Sequence, residues 1–167
     1  MTTDSLIEAL EREHHEIDRN LDRFLTDTHG GGRDSAPLLQ AITALRRHIY
    51  LEEEYLFPAL PDPALAAPVF VMLREHAQIW QLLDSLEREV RAHDGDGAAT
   101  THLCRQLAVQ LQHHNQKEER IIYPAAANTI PPEVTDRIDQ HSRSTPEAPL
   151  DWSASKHGTE EGRTSNV

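Results

Sequence analysis

His48 and Glu52 stand four residues apart in Leu45-Arg46-Arg47-His48-Ile49-Tyr50-Leu51-Glu52-Glu53-Glu54-Tyr55-Leu56-Phe57-Pro58. The pair recurs as His114 and Glu118 in His113-His114-Asn115-Gln116-Lys117-Glu118-Glu119-Arg120-Ile121-Ile122-Tyr123-Pro124. Four residues of an α-helix turn through about 400° and rise ~6 Å, so each pair lies on one helix face, as two ligands of one metal ion would. His14 and His76 add two imidazoles, because Arg12-Glu13-His14-His15-Glu16-Ile17 matches Arg74-Glu75-His76-Ala77-Gln78-Ile79. Each is the polar member of an otherwise apolar helical seam, and so points inward.

The apolar spacing predicts four helices to carry these residues. The first runs from about 5 to 28, opened by a capping box at Ser5 and Glu8, with Ile7, Leu10, Ile17, Leu21 and Phe24 inward and His29-Gly30-Gly31-Gly32 as its stop. The second starts at Ser35 and Pro37 and runs to about Leu56, with Leu38, Ile42, Leu45, His48 or Ile49, Glu52, and then Tyr55 or Leu56 inward. The third, about 68 to 92, has the seam Val69, Met72, His76, Ile79, Leu83, Leu86 and Val90. The fourth starts at Thr100 or Thr101 and runs to about Ile122, with Leu103, Leu107, Leu111 or Gln110, His114, Glu118 and Ile121 inward. Pro58 to Pro68 reads as a compact turn, Asp94 to Gly97 as a loop, and Pro131 to Ile138 as a short extra helix. From about His141 to Val167 Ser, Thr, Glu, Pro, Gly and Asp dominate; this predicts a disordered tail in which Trp152 is the one hydrophobic anchor.

The expected fold is therefore all-α: an up-down-up-down antiparallel four-helix bundle over residues 1–140, with the short extra helix at its end and a polar tail over 141–167. A chain of 167 residues is one domain's worth. Its net charge of -12, from 28 Asp and Glu against 16 Lys and Arg, opposes binding to nucleic acid or an anionic membrane surface. The lone Cys104 beside 11 histidines, the absence of a leader-like start and the absence of a long apolar run give a cytoplasmic expectation with no membrane partner; Cys104 itself reads as a small buried hydrophobe.

Antiparallel packing of the two repeats brings the six seam residues to one level. Buried imidazoles and carboxylates there are costly unless paired, and a metal satisfies all of them. Four imidazoles and two carboxylates suit iron, with zinc and manganese as competitors, and no thiolate is available for an iron-sulfur cluster. Two ions use the set evenly: His14 with His48, His76 with His114, and Glu52 and Glu118 across both. Ferritin-like sites differ, having Glu-x-x-His spacing and mainly carboxylates.

The succession Glu-His, His-x-x-x-Glu-Glu-x-x-Leu-Phe-Pro, Glu-His, His-x-x-x-Glu-Glu-x-x-Ile-Tyr-Pro resembles the hemerythrin-like, or HHE cation-binding, family over about residues 6 to 126. The resemblance implies a four-helix bundle around two non-haem iron ions (Fe2+/Fe3+) with a bridging oxo or hydroxo group. The oxygen carriers of that family have two histidines four residues apart on the third helix; here the earlier position is Met72, a poor ligand for iron. Their last carboxylate register would select Glu119, whereas the HHE pattern and the helix face select Glu118.

A two-plus-two site with an open position on each ion implies disproportionation of hydrogen peroxide, a catalase-like activity; reversible oxygen or nitric oxide binding or sensing, and iron handling, are the alternatives. The expected ligand is thus peroxide or a small diatomic, and the tail's protein partner is open. Tyr55, three residues after Glu52 on the ligand face, is expected to hydrogen-bond a bridging carboxylate or to ligate iron. His15 and His113 sit about 100° off their seams and belong at the rim. His29, His93, His102, His141 and His157 carry no signal. Glu53, Glu54 and Glu119 read as solvent-facing or capping, with Glu53 or Glu119 as a possible acceptor behind a ligand.

Overall fold

The computed structural model describes residues 2–27, 34–93, 97–127, 129–144, 147–149 and 151–154. Every regular element among them is helical: α1 (Thr3–Thr26), α2 (Ala36–Leu51), α3 (Ala66–His93), α4 (Ala98–Lys117), α5 (Tyr123–Ala127) and α6 (Pro132–Ser144). α1 packs along α2 and α3 along α4, and contacts of α1 with α4 and of α2 with α3 close the ring. No helix among the described residues is long and apolar enough to cross a membrane.

The helix starts follow backbone chemistry more than the expected caps. The Thr2 carbonyl already accepts the Leu6 N–H, so α1 begins before Ser5 and the capping box does not open it. Ser35 does hold the N-cap position of α2, but its hydroxyl makes no capping bond; Asp34 Oδ1 accepts the Ala36 N–H at 2.9 Å instead. α4 starts at Ala98 behind Gly97, and Thr100 is buried within it. The His29 to Gly32 stop and Asp94 to Asp96 lie outside the described residues.

Both helices that carry a His/Glu pair widen into a π-helical turn directly after the pair's first half. Glu52–Leu56 continues α2 and Glu118–Ile122 continues α4, and the Phe57 and Tyr123 N–H groups reach back five residues to the carbonyls of Glu52 and Glu118. One extra residue in the turn rotates everything after it out of α-helical register. Ile122 is therefore buried and Ile121 is 46% exposed, the reverse of the seam read from regular periodicity. The wide turn also precedes Pro58 and Pro124, whose rings would clash with the carbonyl four residues earlier in a tight helix. Pro58 lies within a short 3-10 turn, Phe57–Ala59, and a second follows at Pro63–Leu65; after Pro124 the chain stays helical to Ala127, so this proline does not end the helix.

The apolar seams bury into two clusters. One gathers Ile17, Leu21, Phe24, Leu38, Ile42, Leu45, Ile79, Leu83, Leu86, Cys104, Leu107 and Leu111. The other gathers Leu6, Leu10, Leu51, Leu56, Met72, Ile122, Tyr123 and, from α6, Ile138. α1 and α3 pass from the second cluster to the first, α2 and α4 from the first to the second, and in each helix the inward polar residues fall between.

Order continues further along the chain than composition implies. α6 runs to Ser144 rather than ending near Ile138, and beyond it Trp152 and Ala154 pack on the bundle, so residues 141–144 and 147–154, where described, are not a detached tail. The Trp152 ring stands edge-on to Trp80 and Tyr50, and its indole N–H donates to Glu54 Oε1 at 2.7 Å. Burial of that ring supplies what the polar composition lacks. Residues 155–167 lie outside the described residues.

Candidate metal centre

His14, His48, Glu52, His76, His114 and Glu118 are all at most 3% exposed and converge between the two apolar clusters. The imidazoles meet in pairs. His14 Nε2 lies 2.9 Å from His48 Nε2, and His76 Nε2 lies 3.0 Å from His114 Nε2. The carboxylates lie between the pairs: Glu52 turns Oε1 toward His48 (3.5 Å) and Oε2 toward His76 (3.4 Å). Glu118 turns Oε2 toward His14 (3.4 Å) and Oε1 toward His114 (3.0 Å) and His76 (3.4 Å). Ligand-capable atoms of Glu52, His76, His114 and Glu118 lie within 4.8 Å of one another, as do those of His14, His48 and Glu118.

Every imidazole is held from behind by another glutamate. The Nδ1 atoms of His14, His48, His76 and His114 face Glu119 (2.9 Å), Glu13 (3.0 Å), Glu53 (2.9 Å) and Glu75 (2.9 Å). A carboxylate on Nδ1 requires the proton there, which leaves the Nε2 lone pair pointing inward. Two such lone pairs at these separations repel unless a cation lies with them. Glu52 Oε2 and both oxygens of Glu118 are buried and accept no hydrogen bond. Buried carboxylate oxygens without a hydrogen bond beside imidazole nitrogens that face one another in pairs are what a cation satisfies, so the donor set fits a metal.

Without a cation the cluster compensates with protons. Burial alone would lower His48, but the carboxylates of Glu52 and Glu13 outweigh it and hold the imidazole at about 10. Glu52 is pushed up by burial and by Glu118, yet the imidazoles of His48 and His76 hold it down to about 2. Burial likewise opposes the rise of His76, which Glu118, Glu52 and Glu53 nevertheless drive well above the usual imidazole range.

The outer glutamates show a pattern. Glu13 and Glu75 each precede a seam histidine and hold the imidazole of the following helix, Glu13 also binding Arg47 and Glu75 also binding Lys117. Glu53 and Glu119 each follow a seam glutamate and reach the other half of the chain. In a regular helix Glu53 would point about 100° away from Glu52. The π-helical turn lets both be buried, at 0% and 7% exposure. Glu53 is buried rather than solvent-facing, and both it and Glu119 take the acceptor role that the sequence offers as the alternative; Glu13 and Glu75 have only the repeated Glu-His dipeptide as their signal.

Tyr55 is not in the cluster. Its hydroxyl lies 3.5 Å from that of Tyr50 and its ring beside His141. The π-helical turn carries it off the ligand face, and the residues five after the seam glutamates come in instead. Tyr123 donates to Glu52 Oε1 at 2.8 Å and lies 3.2 and 3.3 Å from His14 Nε2 and His48 Nε2. Phe57, at the same place in the first copy, stacks on His76 at 5.6 Å, as Tyr123 does on His14 at 5.7 Å. Burial first, then the charges of Glu52 and Glu118, raise the Tyr123 phenol well above its ordinary value and keep it protonated. His15 and His113 are exposed, as expected of rim positions, and Cys104 is buried in the first apolar cluster.

Neither the curated proteins nor the solved structures gave a match to the chain. Among protein families, the one described as Hemerythrin HHE cation binding domain matches residues 5–126. That span runs from α1 to α5, contains every inward imidazole and carboxylate, and stops before α6 and the Trp152 segment. The chain belongs to the hemerythrin HHE cation-binding family.

Proposed function

We propose that this domain holds two iron ions, one at His14 and His48 and the other at His76 and His114, with Glu52 and Glu118 across both, and that it disproportionates hydrogen peroxide. The observation that carries this reading is the split aim of the two glutamates, each with one oxygen toward either imidazole pair. A single ion leaves half of that arrangement unused. The bundle we infer is up-down-up-down, supported by the alternating order in which successive helices pass the two apolar clusters.

When bound, a di-iron centre with an oxo or hydroxo bridge supplies the two-electron redox capacity that takes one peroxide to water and another to oxygen. The chain's own groups do the rest. The outer glutamates fix each imidazole with Nε2 inward. Tyr123 Oη keeps a proton beside Glu52, His14 and His48, where a developing hydroxide needs one. Leu6, Leu10, Leu56 and Met72 on one side and Ile17, Leu45 and Ile79 on the other exclude bulk water. Met72 is buried and brings a thioether rather than an imidazole, so it would not compete with a small oxidant for a bound iron.

Iron-loaded protein is expected to hold two irons per chain and to release oxygen from peroxide, with both lost in His48→Ala. Oxygen release no faster than that of the variant overturns the reading.

A further inference from the structure

The aromatic side chains are sorted by chemistry. The chain has two tryptophans and three tyrosines. Tyr123 is in the metal layer, and the other four form one line of ring contacts: Trp80 to Trp152 at 5.1 Å, Trp152 to Tyr50 at 5.3 Å, and Tyr50 to Tyr55 at 5.9 Å. The three phenylalanines, which do not take part in one-electron chemistry under biological conditions, lie elsewhere: Phe24 in the first core, Phe57 on His76, and Phe70 exposed.

The line has an inner and an outer end. Tyr50 lies two residues from His48 and two from Glu52, about 200° around the helix from each, so it backs the helix that carries them on the side away from the imidazoles. At the other end Trp80 and Trp152 line a cavity of about 590 Å³ between α2, α3 and the C-terminal segment. Its wall carries the carboxylates of Asp84, Glu87, Glu147 and Asp151 against the guanidinium groups of Arg46 and Arg91. Arg46 is held by Asp84 and Glu87, and Arg91 by Glu87, so both cations are already balanced. The described wall thus carries four carboxylates against two guanidinium groups, and the two indole rings offer faces for stacking.

We infer that this cavity takes a neutral or cationic aromatic one-electron donor, a phenol or an aromatic amine, and that Trp152 and Tyr50 carry its electrons across α2 to the metal layer. The inference rests on the redox centre proposed above and adds a second substrate to it. Arg46 lies over Trp80 at 5.5 Å, and its charge opposes oxidation of that ring, which leaves Trp152 as the entry. His141 contacts both tyrosine rings, at 5.0 and 6.1 Å, and its Nε2 is buried without a hydrogen-bond partner. Burial and then the charge of Arg47 lower its pKa, so it is a neutral base next to phenols that release a proton whenever they are oxidised. In balance, one hydrogen peroxide takes up two protons and two electrons to give two waters, two donors each lose one electron, and the aromatic residues return unchanged.

The test uses full-length iron-loaded protein with hydrogen peroxide and tetramethyl-p-phenylenediamine, whose coloured radical is followed by stopped flow. Trp152→Phe and Tyr50→Phe keep a ring in place but remove the redox step; each is expected to slow radical formation by about tenfold or more, and Trp152→Tyr to restore it. Equal rates in all four proteins overturn the relay, as does wild-type protein that releases oxygen from peroxide but does not oxidise the amine. Amine oxidation without oxygen release supports the relay and removes the disproportionation reading instead. An independent readout is tryptophan fluorescence of the full chain without added iron. Titration with the amine is expected to quench it saturably and more weakly in Glu147→Lys, whereas quenching that rises linearly without saturation overturns the cavity as a site.

Discussion

Tyr123 donates to Glu52 across 71 residues of sequence, whereas Phe57, its counterpart in the first copy, gives His76 only a ring face. One hydroxyl thus breaks an otherwise repeated site, and it does so at the His14 and His48 pair. Tyr123→Phe is expected to retain both metals and to lose about a hundredfold in peroxide turnover, the usual scale for a placed proton donor. Metal analysis alongside oxygen release checks this; a variant that loses metal instead assigns Tyr123 to holding the ion.

The glutamates behind the imidazoles are expected to matter almost as much as the inward residues. Glu53→Gln and Glu119→Gln each replace an acceptor that reaches the other half of the chain, and Glu13→Gln and Glu75→Gln replace one within a half. Each substitution is expected to weaken metal binding by about 10- to 100-fold. Competition with a chromophoric chelator measures it, and unchanged affinity in all four variants contradicts the role assigned to these residues.

Metal binding and protons are linked. In the cation-free chain His48 is held at about 10 and is protonated at neutral pH, so loading is expected to release protons into a weakly buffered solution. The same shift makes the cation-free fold pH-sensitive. A raised imidazole stabilises fully below its unfolded value, ~6.5, and that contribution fades as pH climbs through about 10. Glu52, held at about 2, stabilises above its unfolded value of ~4.3, a contribution that fades as pH falls through about 2. Denaturation of the metal-free protein is therefore expected to be hardest between those limits. Loading without proton release in a pH-stat experiment contradicts this account.

Leu83 is fully buried in the first apolar cluster, one helical turn beyond Ile79 and two beyond His76. Leu83→Ala is expected to lower unfolding free energy by about 2–5 kcal/mol. Val109→Ala, at a position 57% exposed, is expected to change it by less than about 0.5 kcal/mol. Urea unfolding of both variants makes the comparison.

The buried polar layer was legible because its histidines and glutamates share one periodicity with the apolar seams. His14, His48, Glu52, His76, His114 and Glu118 occupy the positions that regular helix geometry assigns them. What lay beyond Glu52 and Glu118 was not legible, since a π-helical turn has no signature in residue composition; the shift of one position put Leu56 and Ile122 inward in place of Tyr55 and Ile121, and brought Phe57 and Tyr123 to the imidazoles. Glu13 and Glu75 were visible only as a repeat, because their partners lie on another helix. Trp152 was seen as an anchor without a mooring: the acceptor Glu54 and the rings of Tyr50 and Trp80 come from segments distant in sequence.

The cross-half pairs of Glu53 with His76 and Glu119 with His14 also govern assembly. Apolar seams alone tolerate sliding by a helical turn, since leucine meets leucine at either setting. A slide here would face buried imidazoles and carboxylates with hydrocarbon on both sides, at a penalty of several kcal/mol for each unpaired charge. The polar layer therefore acts as a registration mark, admitting one alignment of the two halves. A chain that folds without its cation is still held near the geometry the cation needs.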